Sequence, residues 1–184
     1  MTPWPKSHRC LLMLLLFSIF GWITDSALAA GPSFDCGQAA GAIETLICKD
    51  KQLAKLDRKL SEVYAIAFLR TADEYPPVLK TEQRGWIKGR NDCWKSDDPR
   101  SCTETLYRTR IAELQARYRL VSEKGPFWFT CDGDPKNEVV VTFFKTDPPS
   151  LIAERGDQVS FMVLQRSGSG AKYQFVDDRP LIGQ

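Results

Sequence analysis

Histidine is almost absent from this chain of 184 residues, since His8 is the one histidine that it contains. His8 lies in an N-terminal segment that has the features of a secretory signal, so we expect the mature chain to contain none. Ser-His-Asp and Cys-His catalytic groups, and zinc sites built with histidine, are then excluded. The sequence also lacks a long apolar run after the N-terminus and has a mean hydropathy of −0.29. An integral membrane protein is therefore not expected.

The first 29 residues show the three parts of a signal peptide. A basic start is followed by an apolar stretch over residues 11–23 and by the small-residue motif Ala27-Leu28-Ala29. We predict cleavage after Ala29, which gives a periplasmic or secreted protein with no membrane span. An uncleaved anchor is the alternative, but residues 11–23 are short for spanning a bilayer. Cys36 follows Ser-Phe-Asp, which does not resemble a lipid-attachment motif, so a soluble exported protein is favoured over a lipoprotein.

Five cysteines remain after the signal, in a chain whose predicted compartment allows disulfides to persist. Four of them fall into two local pairs, Cys36 with Cys48 and Cys93 with Cys102, and each bridge would contribute about 2 to 3 kcal/mol. Spacing alone leaves the connectivity open, because four cysteines allow three pairings. A tetrathiolate metal site is the alternative, but it is typically built from more closely spaced cysteines. Disulfides are therefore favoured, and Cys131 is left over.

Residues 50–119 show the spacing of apolar side chains that is typical of amphipathic helices. The predicted helices begin after Asp50, after Pro76-Pro77 and at Pro99, with Asp50 and either Asp97 or Asp98 as N-caps. The second helix is predicted to direct Val78, Leu79, Trp86 and Ile87 inward. Its basic residues Lys80, Arg84, Lys88 and Arg90 indicate a solvated face or, less favoured, a binding stripe for an anionic partner. Together the helices predict a small bundle.

After Tyr118 the sequence consists of short segments rich in Val, Phe and Thr, separated by turn residues. Antiparallel strands are predicted over residues 127–131, 138–144 and 158–165. Net charge also changes, from +3 over residues 30–119 (16 basic, 13 acidic) to −2 over residues 120–184 (7 basic, 9 acidic). Neither half is basic enough to indicate a nucleic-acid partner. We predict an α+β protein with a signal peptide (1–29), a helical domain (30–119) and a β domain (120–184).

The helical half carries a series of motifs that resembles the N-terminal domain of the LprI-like lysozyme inhibitors. The resemblance covers about half of the mature chain and includes all four paired cysteines. Its motifs are Phe34-Asp35-Cys36, Glu44 with Ile47-Cys48, Leu53 with Leu56-Asp57, Gln83-Arg84 with Trp86-Ile87, Arg90 and Cys93, and Cys102 with Leu106-Tyr107, Arg110-Ile111 and Leu114.

The β half is similar to the membrane-bound inhibitors of c-type lysozyme, the MliC family. The similarity lies in Phe129-Thr130-Cys131-Asp132, in residues 139–144 and above all in the run Ser-Gly-Ser-Gly-Ala-Lys-Tyr of residues 167–173. It implies a small antiparallel β-barrel and a loop that enters the lysozyme cleft. The lysozyme-binding residues that it implies are Ser169, Gly170, Ala171, Lys172 and Tyr173. A plain Gly-Ser turn between strands is the alternative.

The end of the chain departs from the MliC pattern. That family carries a second inhibitory Lys and a further Cys that pairs with the first, but Gly183 occupies the position of the Lys and the chain ends at Gln184. The last strands and the partner of Cys131 are therefore expected to be missing. We predict an incomplete barrel with an exposed strand edge.

The predicted function is inhibition of a c-type lysozyme by a protein that uses no catalysis, metal or cofactor. The alternative is a cell-envelope binding or scaffolding module that acts through the helical domain. Trp86, Trp94 and Tyr107 would then form a ligand surface, although their helical spacing favours core packing. An enzyme using paired carboxylates, Asp97-Asp98 or Asp132 with Asp134, is disfavoured because such residues are typical of turns and caps.

Overall fold

A computed structural model of the chain describes residues 31–71, 78–134 and 137–176. The predicted signal peptide and Gly183 lie outside the described residues. Helices come first and strands follow, so the predicted α+β class is confirmed. The helices are α1 (Ala42–Lys49), α2 (Lys51–Arg70), α3 (Val78–Asn91) and α4 (Pro99–Arg117), and the strands are β1 (Glu123–Thr130), β2 (Glu138–Phe144), β3 (Ser150–Arg155), β4 (Gln158–Gln165) and β5 (Lys172–Phe175).

The starts of α2 and α4 follow from their capping residues. The Asp50 carboxylate accepts the backbone N–H groups of Gln52 and Leu53, and the Asp98 carboxylate accepts that of Ser101. These bonds satisfy N–H groups that have no partner within the helix. Both caps were predicted, whereas α1 was not. It is short, and Gly41, the residue before it, offers no capping side chain.

Two disulfides close the ends of the helical bundle, so the predicted disulfide-stapled bundle is confirmed. Cys36–Cys48 joins a 3-10 turn to α1, and Cys93–Cys102 joins the segment after α3 to α4. Cys131 has no disulfide partner among the described residues. The core of the bundle includes the fully buried side chains Ile47, Leu53, Leu79, Tyr107 and Leu114.

Part of the prediction for α3 is wrong. Val78 and Ile87 were expected to point inward, but they are 51% and 38% exposed. Arg90 was expected on a basic stripe, but it is buried. Successive helical residues are rotated by about 100°, so α3 buries a narrow stripe through Leu79, Trp86 and Arg90 and turns Val78 and Ile87 away from it.

A network of buried polar side chains connects the helices. Asp57 of α2 accepts hydrogen bonds from the Tyr107 hydroxyl at 2.7 Å and from the Ser33 N–H and hydroxyl, both at 2.6 Å. Arg90 of α3 donates to the Tyr107 hydroxyl at 2.7 Å, and its guanidinium lies 3.8 Å from the Asp57 carboxylate. Burial raises the pKa of Tyr107, which keeps its hydroxyl protonated. Buried charges are tolerated because each has partners of this kind.

The five described strands form one antiparallel sheet in the order β1-β2-β3-β4-β5. The sheet is strongly curled, because the ring of Phe143 on β2 contacts the ring of Tyr173 on β5 at 5.7 Å although two strands lie between them. Within the described residues β1 and β5 are not paired with each other. The predicted incomplete barrel is therefore confirmed. Phe127, Phe129 and Phe175 are exposed near its open side.

Helix α4 contacts both halves of the protein. Tyr107 and Leu114 belong to the helical core, whereas Ala112 and Ala116 pack against the sheet, where their contacts are Phe144, Phe161 and Val163. The small alanine side chains allow the helix to approach the strands closely. Arg108 of α4 also forms a salt bridge of 2.8 Å with Asp147 in the β2–β3 loop. No described helix has both the length and the apolar character of a membrane span.

We predict that Tyr107→Phe lowers the free energy of unfolding by about 1 to 3 kcal/mol, because Asp57 and Arg90 would each lose a buried partner. Urea unfolding followed by circular dichroism measures this. Tyr64→Phe is the matched control, since the Tyr64 hydroxyl has no hydrogen bond within the described residues, and it should change stability by less than about 0.5 kcal/mol. Equal effects of the two substitutions would contradict the role of the network.

We also predict that acid destabilises the helical bundle. The backbone N–H of Leu53 lowers the pKa of Asp50, and the hydrogen bond from Arg108 lowers that of Glu104. A carboxyl group whose pKa is lowered by folding stabilises the protein above its ordinary pKa, and this stabilisation is lost as the pH falls. The free energy of unfolding should therefore decrease from about pH 5 to about pH 3.

Urea unfolding across this pH range, with one variant and one control, provides the measurement. Asp50→Asn should reduce the slope of stability against pH. Asp157→Asn, in the exposed turn between β3 and β4, should leave the slope unchanged. A wild-type stability that does not change with pH would overturn the prediction.

Candidate functional site

The loop between β4 and β5, residues 166–171, contains most of the residues that the sequence singled out. Gln165 at the end of β4 pairs with Lys172 at the start of β5, so the loop closes a hairpin. Every residue of the loop is exposed. Exposed loops on a rigid scaffold commonly carry binding residues.

Ser167 holds the loop in shape. Its hydroxyl donates to the carbonyl oxygen of Ser169 at 2.6 Å and lies 3.3 Å from the Ser169 backbone nitrogen, whose N–H it accepts. Gly170 follows with φ of +68°, a conformation that favours glycine. The Ser169 hydroxyl has no hydrogen bond within the described part of the chain. Ser169 is thus fixed through its backbone and leaves its hydroxyl available to a partner.

The two remaining predicted residues lie on opposite faces of β5. Tyr173 is half-buried on the concave face of the sheet, against Phe143. Phe143 in turn contacts the ring of Phe127 at 5.9 Å. Lys172 is exposed and faces the other side, as the alternation of strand side chains requires. The structure therefore places Ser169, Gly170 and Ala171 at the tip, Lys172 at the base, and Tyr173 beneath the loop as a support.

Several cations lie at this end of the sheet. Arg166 and Lys172 lie at the two ends of the loop, and neither has an ion pair among the described residues. Lys145, equally without an ion pair there, lies in the β2–β3 loop. That loop is at the same end of the sheet, because the Leu164 N–H donates to the Pro149 carbonyl at 2.8 Å. The hydrogen bonds of Ser167 and the positions of Arg166 and Lys145 beside the loop were not predicted from the sequence. A serine two residues before the proposed contact is the signal that could have identified Ser167.

The aromatic and acidic residues of the alternative functions lie mostly in the core, in helix caps or in turns. Tyr107 is fully buried and Trp86 packs edge-on against it at 5.3 Å, whereas Trp94 is 60% exposed. Core packing is therefore confirmed for Tyr107, and Trp86 packs against that core while remaining partly exposed. Because Tyr107 is buried, the three rings do not share one surface. Asp98 is a helix cap and Asp132 lies in the turn after β1, with φ of +53°.

Comparison with known proteins gives two matches in chain order. Residues 36–114 match the family model described as lysozyme inhibitor LprI, and residues 129–179 match membrane-bound lysozyme-inhibitor of c-type lysozyme. Lipoprotein LprI of Mycobacterium bovis and lipoprotein LprI of Mycobacterium tuberculosis are each 32% identical over 147 residues, which is 78% of this chain and 72% of the relative. This chain belongs to the LprI family of lysozyme inhibitors. No solved structure gives a significant match.

The LprI match lies on the helices, and the match to the c-type lysozyme inhibitors lies on the strands. The LprI match begins at Cys36 and ends at Leu114 on α4, so it contains all four disulfide cysteines and the Asp57, Tyr107 and Arg90 network. The match to the c-type lysozyme inhibitors begins at Phe129 on β1 and contains the whole candidate loop. The candidate loop of this LprI-family chain thus lies within the residues that match the second inhibitor family.

We predict that Gly170→Ala strains the loop by about 1 kcal/mol, because alanine disfavours a positive φ. Gly168→Ala is the matched control two residues away, with a φ outside the left-handed region and no atom near an added Cβ. It should be neutral. Thermal unfolding of both variants measures the difference. A loop that tolerates both substitutions equally would contradict the described conformation of Gly170.

Proposed function

We propose that the chain is an exported inhibitor of c-type lysozyme that blocks the enzyme's cleft with the β4–β5 loop. Membership of a lysozyme-inhibitor family supports the activity. The observation that supports the loop is its geometry: Ser167 fixes the backbone of Ser169 while the Ser169 hydroxyl and two flanking cations remain available to a partner.

The chemistry of the loop complements that of a lysozyme cleft. The cleft carries a protonated Glu and an ionised Asp on either side of the scissile bond. A hydroxyl both donates and accepts hydrogen bonds, so Ser169 suits a pair of carboxyl groups in different protonation states. Arg166 or Lys172 would pair with the ionised carboxylate. Inhibition then requires occupation of the cleft and no bond making or breaking by this chain.

We propose distinct tasks for the three parts of the chain. Residues 1–29 would direct export, and the mature protein would act in the periplasm or outside the cell, where disulfides persist. The β domain, residues 120–184, would carry the inhibitory loop. The helical domain, residues 30–119, would support it through α4, which packs on the sheet and bonds to the β2–β3 loop.

The alternative function is binding to the cell envelope through the helical domain, with the β domain as a remnant. It is favoured by a cavity in that domain, which is described below. The two functions differ in what they require of Ser169. Inhibition by the loop depends on Ser169, whereas envelope binding through the helices does not.

The experiment is a turbidity-clearing assay with oxidised residues 30–184 titrated into c-type lysozyme on bacterial cell walls. We predict that Ser169→Ala weakens inhibition about 10- to 100-fold, since a hydrogen bond to a charged group contributes about 1.5 to 3 kcal/mol. Arg166→Ala should also weaken inhibition and reduce its dependence on salt.

Matched controls are available at distant exposed positions. Ser101→Ala lies on α4, and Arg155→Ala lies at the opposite end of the sheet. Both should inhibit like the wild type. Absence of inhibition at a large molar excess of the wild-type chain would contradict the proposed activity. Full inhibition by both Ser169→Ala and Arg166→Ala would show that another surface blocks the enzyme.

A further inference from the structure

A cavity of about 340 Å³ opens in the helical module between the N-terminal segment, α2 and α3. Apolar side chains form much of its wall, among them Phe34, Leu60, Tyr64 and Trp86. Its volume lies within the range of small-ligand sites. The lysozyme-inhibiting loop does not contribute to this cavity, and the proposed function makes no use of it.

The charged side chains that line the cavity already have partners. Asp57 is bonded to Ser33 and Tyr107, and Arg90 lies 3.8 Å from Asp57 and 3.9 Å from the Glu44 carboxylate. Glu44 also accepts the backbone N–H of Ala40. Among the described residues that line the cavity, no charged side chain is left unpaired for an ionic ligand, so the cavity favours a neutral one.

Four neutral polar groups at the cavity wall lack hydrogen bonds within the described residues. They are the hydroxyls of Ser61 and Tyr64, the amide nitrogen of Gln83 and the indole N–H of Trp86. Ser61 and Tyr64 are three residues apart on α2, and Gln83 and Trp86 are three apart on α3, so each pair lies on one helix face. The Gln83 amide oxygen is already used, because it accepts from Arg110 at 3.2 Å. Two short rows of neutral donors and acceptors therefore border an aromatic wall.

We propose that this cavity binds a neutral pyranose ring of a glycan. A pyranose has an apolar C–H face that packs on aromatic rings and a rim of hydroxyls that donate and accept hydrogen bonds. A purely apolar ligand would cover the partly buried polar groups of Tyr64, Gln83 and Trp86 without pairing them, at a cost of about 1 to 3 kcal/mol for each group that loses its water. None of the residues that line the cavity belongs to the β4–β5 loop, so the chain would bind a glycan whether or not lysozyme is present.

Isothermal titration calorimetry of oxidised residues 30–184, without lysozyme, tests the site. The probes are the trisaccharide of N-acetylglucosamine and cellotriose, which carries hydroxyls in place of acetamido groups. We expect saturable binding of at least one with one site per chain. Trp86→Phe removes the indole N–H but keeps an aromatic ring, and should weaken binding about 10-fold, as the loss of one hydrogen bond does.

A second variant keeps the fold contacts of the cavity wall. Gln83→Glu retains the oxygen that accepts from Arg110 but removes the amide donor, so it should also weaken binding about 10-fold. Trp94→Phe and Gln52→Glu, at exposed positions outside the cavity, are the matched controls and should bind like the wild type. Thermal unfolding of each variant shows whether it is folded.

Absence of saturable binding of both trisaccharides at millimolar concentration would overturn the proposal. Undiminished binding by folded Trp86→Phe and Gln83→Glu would also overturn it, because the sugar would then lie elsewhere. The test is independent of the lysozyme assay. Ser169→Ala should bind the sugar normally, and Trp86→Phe should inhibit lysozyme normally, so failure of either proposal is recognised separately.

Discussion

The buried contact between Asp57, Tyr107 and Arg90 is the interaction on which the rest of the structure depends. Each side chain comes from a different helix, and burial of a carboxylate and a guanidinium is costly unless both keep their partners. The arrangement of α2, α3 and α4 in the structure satisfies all three side chains. Ser33 extends it to the N-terminal segment through two bonds to Asp57. The helices are thus joined by buried polar contacts as well as by a shared apolar core.

Helix α4 connects the helical bundle to the sheet, because its residues pack in both. One side of α4 contributes Tyr107 to the network, and another packs Ala112 and Ala116 against the strands. The Arg108–Asp147 salt bridge holds the β2–β3 loop, and the bond between Pro149 and Leu164 connects that loop to the end of β4. The candidate loop projects from there. A loop on a supported base loses less conformational entropy on binding than a free segment, which favours affinity for a partner.

Capping residues and β-propensity, which depend on neighbouring residues alone, predicted several helices and strands correctly. Helix caps fixed the starts of α2 and α4, and strong β-propensity located β2 and β4 within their observed limits. β3 (Ser150–Arg155) escaped prediction because Ser, Ala, Glu and Arg weaken its propensity, while pairing with strands on both sides holds it in place. The burial of Arg90 escaped as well, since an arginine is expected in solvent until its partners on other helices are known. Resemblance located the Ser169 loop, but the support from Ser167 and the cavity beside Trp86 required coordinates.

Backbone hydrogen exchange of the mature chain, with and without c-type lysozyme, tests most directly whether the loop is the inhibitory surface. We expect slower exchange over residues 166–173 and in the adjoining β2–β3 loop when lysozyme is bound. Amides of α2 and α3 around the cavity should exchange as they do in the free protein. Protection confined to the helical module, with residues 166–173 unchanged, would contradict the assignment of inhibition to the loop.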